Sequence, residues 1–260
     1  MNTFIRLSIA SLTILTLVAC QQPTDNEAPA KDVASPAPAA ARPSLPLNLE
    51  DPRQLTQAFD AAWGAQRPAK ATISGDTDSG EFTFTTAKLK PVGGNRYALI
   101  SSGQGQYDSH ASSGALAIHY LDWTPSGFQR AVSPPLLVAD GQYGNPPDWS
   151  VRNDLLPNAT LVTDSVGTGM GYVCQSVVIV ELTPDRPIRR VDRVRLGFSN
   201  GGAVEDPKDR QDMEATLGRG PSEHEFTVQY SGASNARVVW RLAADGSYRP
   251  VNEPADLPWC

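Results

Sequence analysis

The chain has 260 residues, a net charge of −6 and 40% hydrophobic residues, with no cluster of Lys or Arg. Nucleic-acid phosphates demand a concentrated basic face, so composition argues against that class of partner. The length suits one large folded domain or two small ones.

Met1 to Ile5 carry only the terminal amine, Arg6 adds one positive charge, and Leu7 to Val18 form an uncharged, mostly apolar run. This is the layout of a secretory signal. A membrane-spanning helix needs about 20 apolar residues, and Gln21, Gln22 and Pro23 end the run short of that. Residues 1–19 are therefore expected to be a cleaved signal peptide. At its end, Leu17-Val18-Ala19-Cys20 resembles the bacterial lipobox. The resemblance implies cleavage before Cys20, attachment of diacylglycerol and palmitate there, and a domain facing the periplasm. Gln21, where Asp would imply retention in the inner membrane, implies the outer membrane. Several acyl chains on one residue anchor stably, each buried methylene adding roughly 0.8 kcal/mol.

Residues 20–46 read as a lipidated tether. Positions 21–46 hold six prolines and seven alanines, no aromatic residue and charges of both signs, so they cannot bury a core. A Pro-rich segment of this length extends up to ~80 Å. Loss of Arg6 with the signal takes the net charge from −6 to −7. With Cys20 lipidated, two of the three cysteines remain, Cys174 and Cys260. An oxidising periplasm favours pairing them, which would pin the C-terminus to the domain body.

Residues 47–260 form the expected periplasmic domain. Asp51-Pro52 reads as an N-cap and first helical residue, Leu55, Phe59 and Trp63 give one apolar stripe, and Gly64 ends the helix. Alternation in Glu81 to Thr86 and the apolar run Arg96 to Ile100 predict strands. Leu116, Ile118 and Tyr120 share one strand face, and Thr124 to Gly127 turn the chain into a hairpin. Tyr172 to Phe198 repeats the scheme around Thr183 to Pro187, and Asp245-Gly246 joins a last pair of strands. Met213 and Leu217 at helical spacing predict a short helix near 209–217. The class expected is mainly β, an antiparallel sandwich, barrel or irregular propeller-like sheet with an N-terminal helix.

Chemistry-bearing motifs are sparse. The glycines of Gly167 to Tyr172 precede a β-branched run rather than a helix and lack the lysine of a phosphate loop, so they read as a turn or bulge entering a strand. Asp76, Asp78 and Gly80 give half of a calcium loop, but Ala87 stands at its twelfth position, where a carboxylate is required. No pair among His110, His119 and His224 has ligand spacing. No catalytic residue, metal or cofactor is expected, and a hydrolase with a site assembled from remote residues is the least favoured reading.

Candidate binding residues lie in two stretches. Ile100 to His110, rich in Gly, Ser and Gln with one tyrosine, has the make-up of an adaptable binding loop with an aromatic anchor. It resembles the Ser-Gly…Tyr loop that periplasmic lysozyme-inhibitor lipoproteins insert into a lysozyme cleft, although three residues separate Gly103 from Tyr107 where that family has two. The resemblance implies Ser102 and Tyr107 as inserting residues, with Gly103 between them. The second stretch, Gly141 to Ser150, carries Tyr143 and Trp149 and could form a binding rim with the first. The function expected is a binding or inhibitory module acting on a protein or envelope partner, in one version protecting against a wall-degrading enzyme as a lysozyme inhibitor or immunity protein. The alternative is an envelope assembly or scaffold lipoprotein.

Overall fold

The computed structural model describes residues 47–64, 67–74 and 80–258. The expected signal, tether and lipidated Cys20, the Asp76 and Asp78 pair, and Cys260 all lie outside the described residues. No helix among those residues is long and apolar enough to cross a membrane.

Helix α1 (Pro52–Trp63) forms as its caps dictate. The Asp51 carboxylate accepts from the Arg53 N–H at 2.9 Å, and Gly64 leaves the helix at φ 81°. Phe59, Ala58 and Ala62 are buried, with Leu55 and Trp63 packed beside them.

The rest of the chain is a run of antiparallel strands in two sheets, as the alternating sequence predicts. The first sheet holds β1 (Ala69–Ile73), β2 (Gly80–Gly93), β3 (Arg96–Gly105), β4 (Gly114–Thr124) and β5 (Gly127–Arg130) in sequence order. Strand β6 (Leu136–Asp140) pairs with the half of β4 that β5 leaves free. The second sheet is an eight-stranded meander: β7 (Asp148–Arg152), β8 (Thr160–Gly169), β9 (Tyr172–Leu182), β10 (Pro187–Ser199), β11 (Asp212–Arg219), β12 (Glu225–Gly232), β13 (Arg237–Leu242) and β14 (Tyr248–Pro250).

Strand alternation sorts the side chains into three cores. One face of the first sheet, with Phe84, Leu99, Ala117 and Leu121, is covered by α1. Its other face, with Ile100, Leu116, Ile118 and Tyr120, meets Leu161, Val178, Val180 and Leu182 of the second sheet. The second sheet then curls into a half-barrel around Ile179, Val194, Phe226, Val228 and Trp240, with Leu257 of the C-terminal tail in the same cluster. The curl has a local cause. Strand β10 shifts register against β9 three times, between Arg189 and Val191, Val191 and Val194, and Arg195 and Gly197. Each bulge bends its strand and adds twist.

The helix expected near 209–217 is absent. A single 3-10 turn spans Pro207–Asp209, and Asp212–Arg219 is strand β11, paired with β10 and β12. The spacing of Met213 and Leu217 is four residues, an even number that satisfies a strand as well as a helix. Ala215, packed against the same core, completes the two-residue period.

Candidate functional site

Three connections meet at the end of the sheets where β3 finishes: residues 106–113, residues 141–147, and the Met170-Gly171 turn between β8 and β9. Backbone bonds lock the first two together. The Gly105 N–H donates to the Gly144 carbonyl at 2.8 Å, the Gly144 N–H to Ser112 at 2.7 Å, and the Gly114 N–H to Asn145 at 3.1 Å. Glycine is required at such close approach, since a Cβ on Gly144 would stand 2.4 Å from the Tyr107 carbonyl oxygen. Gln142 Nε2 donates to the Thr168 carbonyl at 3.2 Å, tying in the third connection. The loops of the two nominated stretches are thus brought together.

Two tight turns in this cluster place a large side chain where the backbone favours glycine or asparagine. Tyr143 (φ 56°) precedes Gly144 (φ 70°), and Met170 (φ 52°) precedes Gly171 (φ 86°). Two-residue hairpin turns with positive φ at both central positions are normally Asn-Gly or Gly-Gly. A tyrosine or methionine there costs on the order of 1 kcal/mol, and such strain concentrates at functional positions. The Tyr143 ring lies 4.4 Å from that of His110, with its Oη 2.6 Å from Nδ1. Met170 is 94% exposed.

Exposed apolar side chains gather here. Of the six large hydrophobic residues exposed among the described residues, Tyr107, Val166, Met170, Tyr172 and Val173 belong to this end, and Val251 alone lies elsewhere. By strand alternation Tyr172 projects from one face of the β8–β9 hairpin and Val166 and Val173 from the other, so both faces of this hairpin end carry exposed apolar side chains. Behind the Met170 turn, between the β8–β9 hairpin and Asp140 to Gln142, opens a cavity of about 530 Å³.

The nominated residues divide between this end and a lateral groove. Tyr107 stands at the loop, 65% exposed, and Tyr143 at the neighbouring turn. Ser102 and Gly103 lie within β3, which continues to Gly105 and pairs on both sides, Ser102 with Thr86 and Leu116, Gly103 with Phe84 and Ala115. The loop therefore starts after Gly105 rather than at Ile100. Gly103 serves packing, since its Cβ would fall 2.5 Å from the Phe84 ring. Ser102 and Trp149 share a groove of about 370 Å³ in which Lys88 Nζ sits 5.5 Å over the Trp149 ring. Cys174 sits in β9 against the half-barrel core.

His119 is buried beneath α1, 4.5 Å from the Trp63 ring, and Trp63 Nε1 donates to Ser101 Oγ at 3.2 Å. Burial first, then the Arg130 charge, holds its pKa at about 4, so the imidazole is neutral near pH 7.

Sequence reasoning missed the cavity residues Asp140, Ser165 and Arg193. One signal was legible: Ser165, Gly167 and Gly169 put small residues at alternate positions of a strand, which spares one face of side chains. The chain matches no family model and is similar to no curated protein or solved structure.

Proposed function

We propose that the chain is an outer-membrane lipoprotein, anchored through Cys20, whose β-rich periplasmic domain is a binding or inhibitory module for a protein partner. The observation that carries the reading is the gathering of Tyr107, Val166, Met170, Tyr172 and Val173 at one end of the sheets. A solvent-exposed Met170 on a strained turn, with exposed Tyr107 and Tyr172 at the same end, destabilises a monomer and would serve a partner, since aromatic residues and Met are enriched in interface cores. The version that blocks a wall-degrading enzyme rests on Tyr107, the one residue of the nominated Ser102, Gly103 and Tyr107 set on the exposed loop. A Cys174–Cys260 bridge fits the same picture. Leu257 packs into the cluster that Cys174 lies against, and Arg195 Nη1 holds the Leu257 and Pro258 carbonyls at 3.2 and 3.0 Å.

Capture from envelope extracts by the full chain tests the function. The expected result is a muramidase or another single partner that is lost with Tyr107→Ala or Met170→Ala, while both variants melt like the parent. A partner retained by both variants would move the reading to a scaffold that uses another surface. Radiolabelled palmitate should enter the parent and not Cys20→Ser. Label in both, or in neither, rejects the anchor.

A further inference from the structure

The face of the second sheet that packs against the first can be followed along β8 and β9 in steps of two. Near the middle it carries Leu161, Val178 and Val180, all in the inter-sheet core. Toward the Met170 turn the same face carries Ser165, Gly167 and Gly169 on β8, opposite Ser176, Cys174 and Tyr172 on β9. Bulk gives way to small side chains just where the first sheet stops at Asp140. The cavity of about 530 Å³ is the continuation of the core with its filling left out. That size falls within the usual range for small-molecule sites.

The glycines are not demanded by the fold. A Cβ on Gly169 would meet nothing within 4 Å, one on Gly167 only the Cys174 carbonyl oxygen at 3.9 Å, and neither has a positive φ. By contrast, a Cβ on Gly171 would strike Gly202 at 2.3 Å. Glycine inside a strand is unfavourable and marks close approach by a ligand or another backbone when packing does not explain it.

One buried polar group on the cavity wall points to a ligand independently, and an exposed cation at the rim is available to it. Ser165 is 8% exposed, its side chain projects from the cavity face, and its Oγ has no hydrogen-bond partner among the described residues. Buried hydroxyls are normally bonded. Arg193 also lines the cavity, and its guanidinium makes no hydrogen bond or ion pair among the described residues. Asp140, the acid on the same wall, is already engaged: Oδ1 accepts from the Gly141 N–H at 2.9 Å and Oδ2 from Thr163 Oγ1 at 2.6 Å. The charged donor left without a partner on this wall is therefore Arg193, and Met170 and Tyr172 supply apolar walls.

We infer that this cavity binds a small anionic amphiphile, a slender apolar chain lying over Gly167 and Gly169 with its anionic head on Arg193 and a hydrogen bond from Ser165. The site shares Met170 and Tyr172 with the proposed protein-binding surface, but the groups that would hold the anionic head, Arg193 and Ser165, lie outside that surface.

Calorimetric titration of the full chain tests this, with dodecanoate as probe and dodecyltrimethylammonium as a cationic control, both below their micelle concentrations. Dodecanoate is expected to bind saturably at one site. Gly169→Val fills the strip and should weaken binding at least tenfold without lowering the melting temperature. Arg193→Gln should weaken dodecanoate about tenfold and remove the preference over the cationic probe, and it keeps the test informative should the valine variant fold poorly. No saturable binding, affinity unchanged in both variants, or equal affinity of the parent for the cationic probe would each overturn the inference.

Discussion

The two ends of the sheet pair are built on opposite principles. At the end where β9 finishes, the sheets are stitched together. Arg96 grips Asp122 through Nε at 2.9 Å and Nη2 at 3.1 Å, and its Nη1 reaches the Pro184 carbonyl of the other sheet at 2.8 Å. Tyr120 Oη donates to the Thr183 carbonyl at 2.8 Å, also across the sheets. Large side chains such as Leu182 fill the space between. At the opposite end the sheets part, small residues replace large ones, a hydroxyl is left unpartnered and two turns carry strained residues. The difference teaches that dense packing and strained, open features are kept apart along one strand direction: the stitched end holds the fold, which leaves the open end free to carry features that weaken it.

The largest effect should come from cutting the stitched end. Leu182→Ala empties the inter-sheet core and is expected to lower stability by about 2–5 kcal/mol in denaturant unfolding. Val166→Ala at the open end should stay within about 0.5 kcal/mol of the parent. Equal losses from the two would erase the contrast.

His119 sharpens the comparison from the helix-covered face. Its pKa is about 4 folded against its ordinary 6.5. The neutral form is favoured by folding, so its contribution is fully present above pH 6.5 and is lost as pH falls from 6.5 toward 4. The loss is on the order of 3 kcal/mol. Unfolding free energies measured from pH 7 to pH 4 should show that decline, and His119→Gln should remove its share of the slope.

Arg96→Ala is expected to lower stability by about 1–2 kcal/mol, because it leaves Asp122 and the Pro184 carbonyl without their donor. The pKa of Asp122, held below the ordinary carboxylate range chiefly by its hydrogen bond from Arg96, should rise in the same variant when followed by NMR. The smallest change has the opposite sign. Met170→Asn relieves the left-handed strain of its turn and should raise stability by about 0.5–1 kcal/mol, while capture of the partner falls. A variant that gained stability and kept its partner would deny the turn any role in recognition.

Much of the stitched part was legible in the chain. Asp51-Pro52 and Gly64 announce α1, the alternation of Leu116, Ile118 and Tyr120 gives β4, and Thr124 to Gly127 gives its hairpin, because each rests on local backbone chemistry. β11 was not legible, since Met213 and Leu217 fit either period. The extension of β3 through Ser102 to Gly105 was hidden because small polar residues look like a loop until two neighbouring strands pair with them. The meeting of residues 106–113 with 141–147 was anticipated. The cavity was not, for it depends on where one sheet stops while the other runs on, and no single strand records that.

The meander of the second sheet also bears on how the molecule assembles. Each of its strands pairs with the one before it in the chain, so a chain released N-terminus first can add hairpins one at a time, with little entropy lost in closing each loop. The link from Arg96 to Pro184 spans 88 positions and is of another kind. It cannot form until the chain has reached the turn after β9, so the stitched end closes later than the hairpins of the first sheet that it joins.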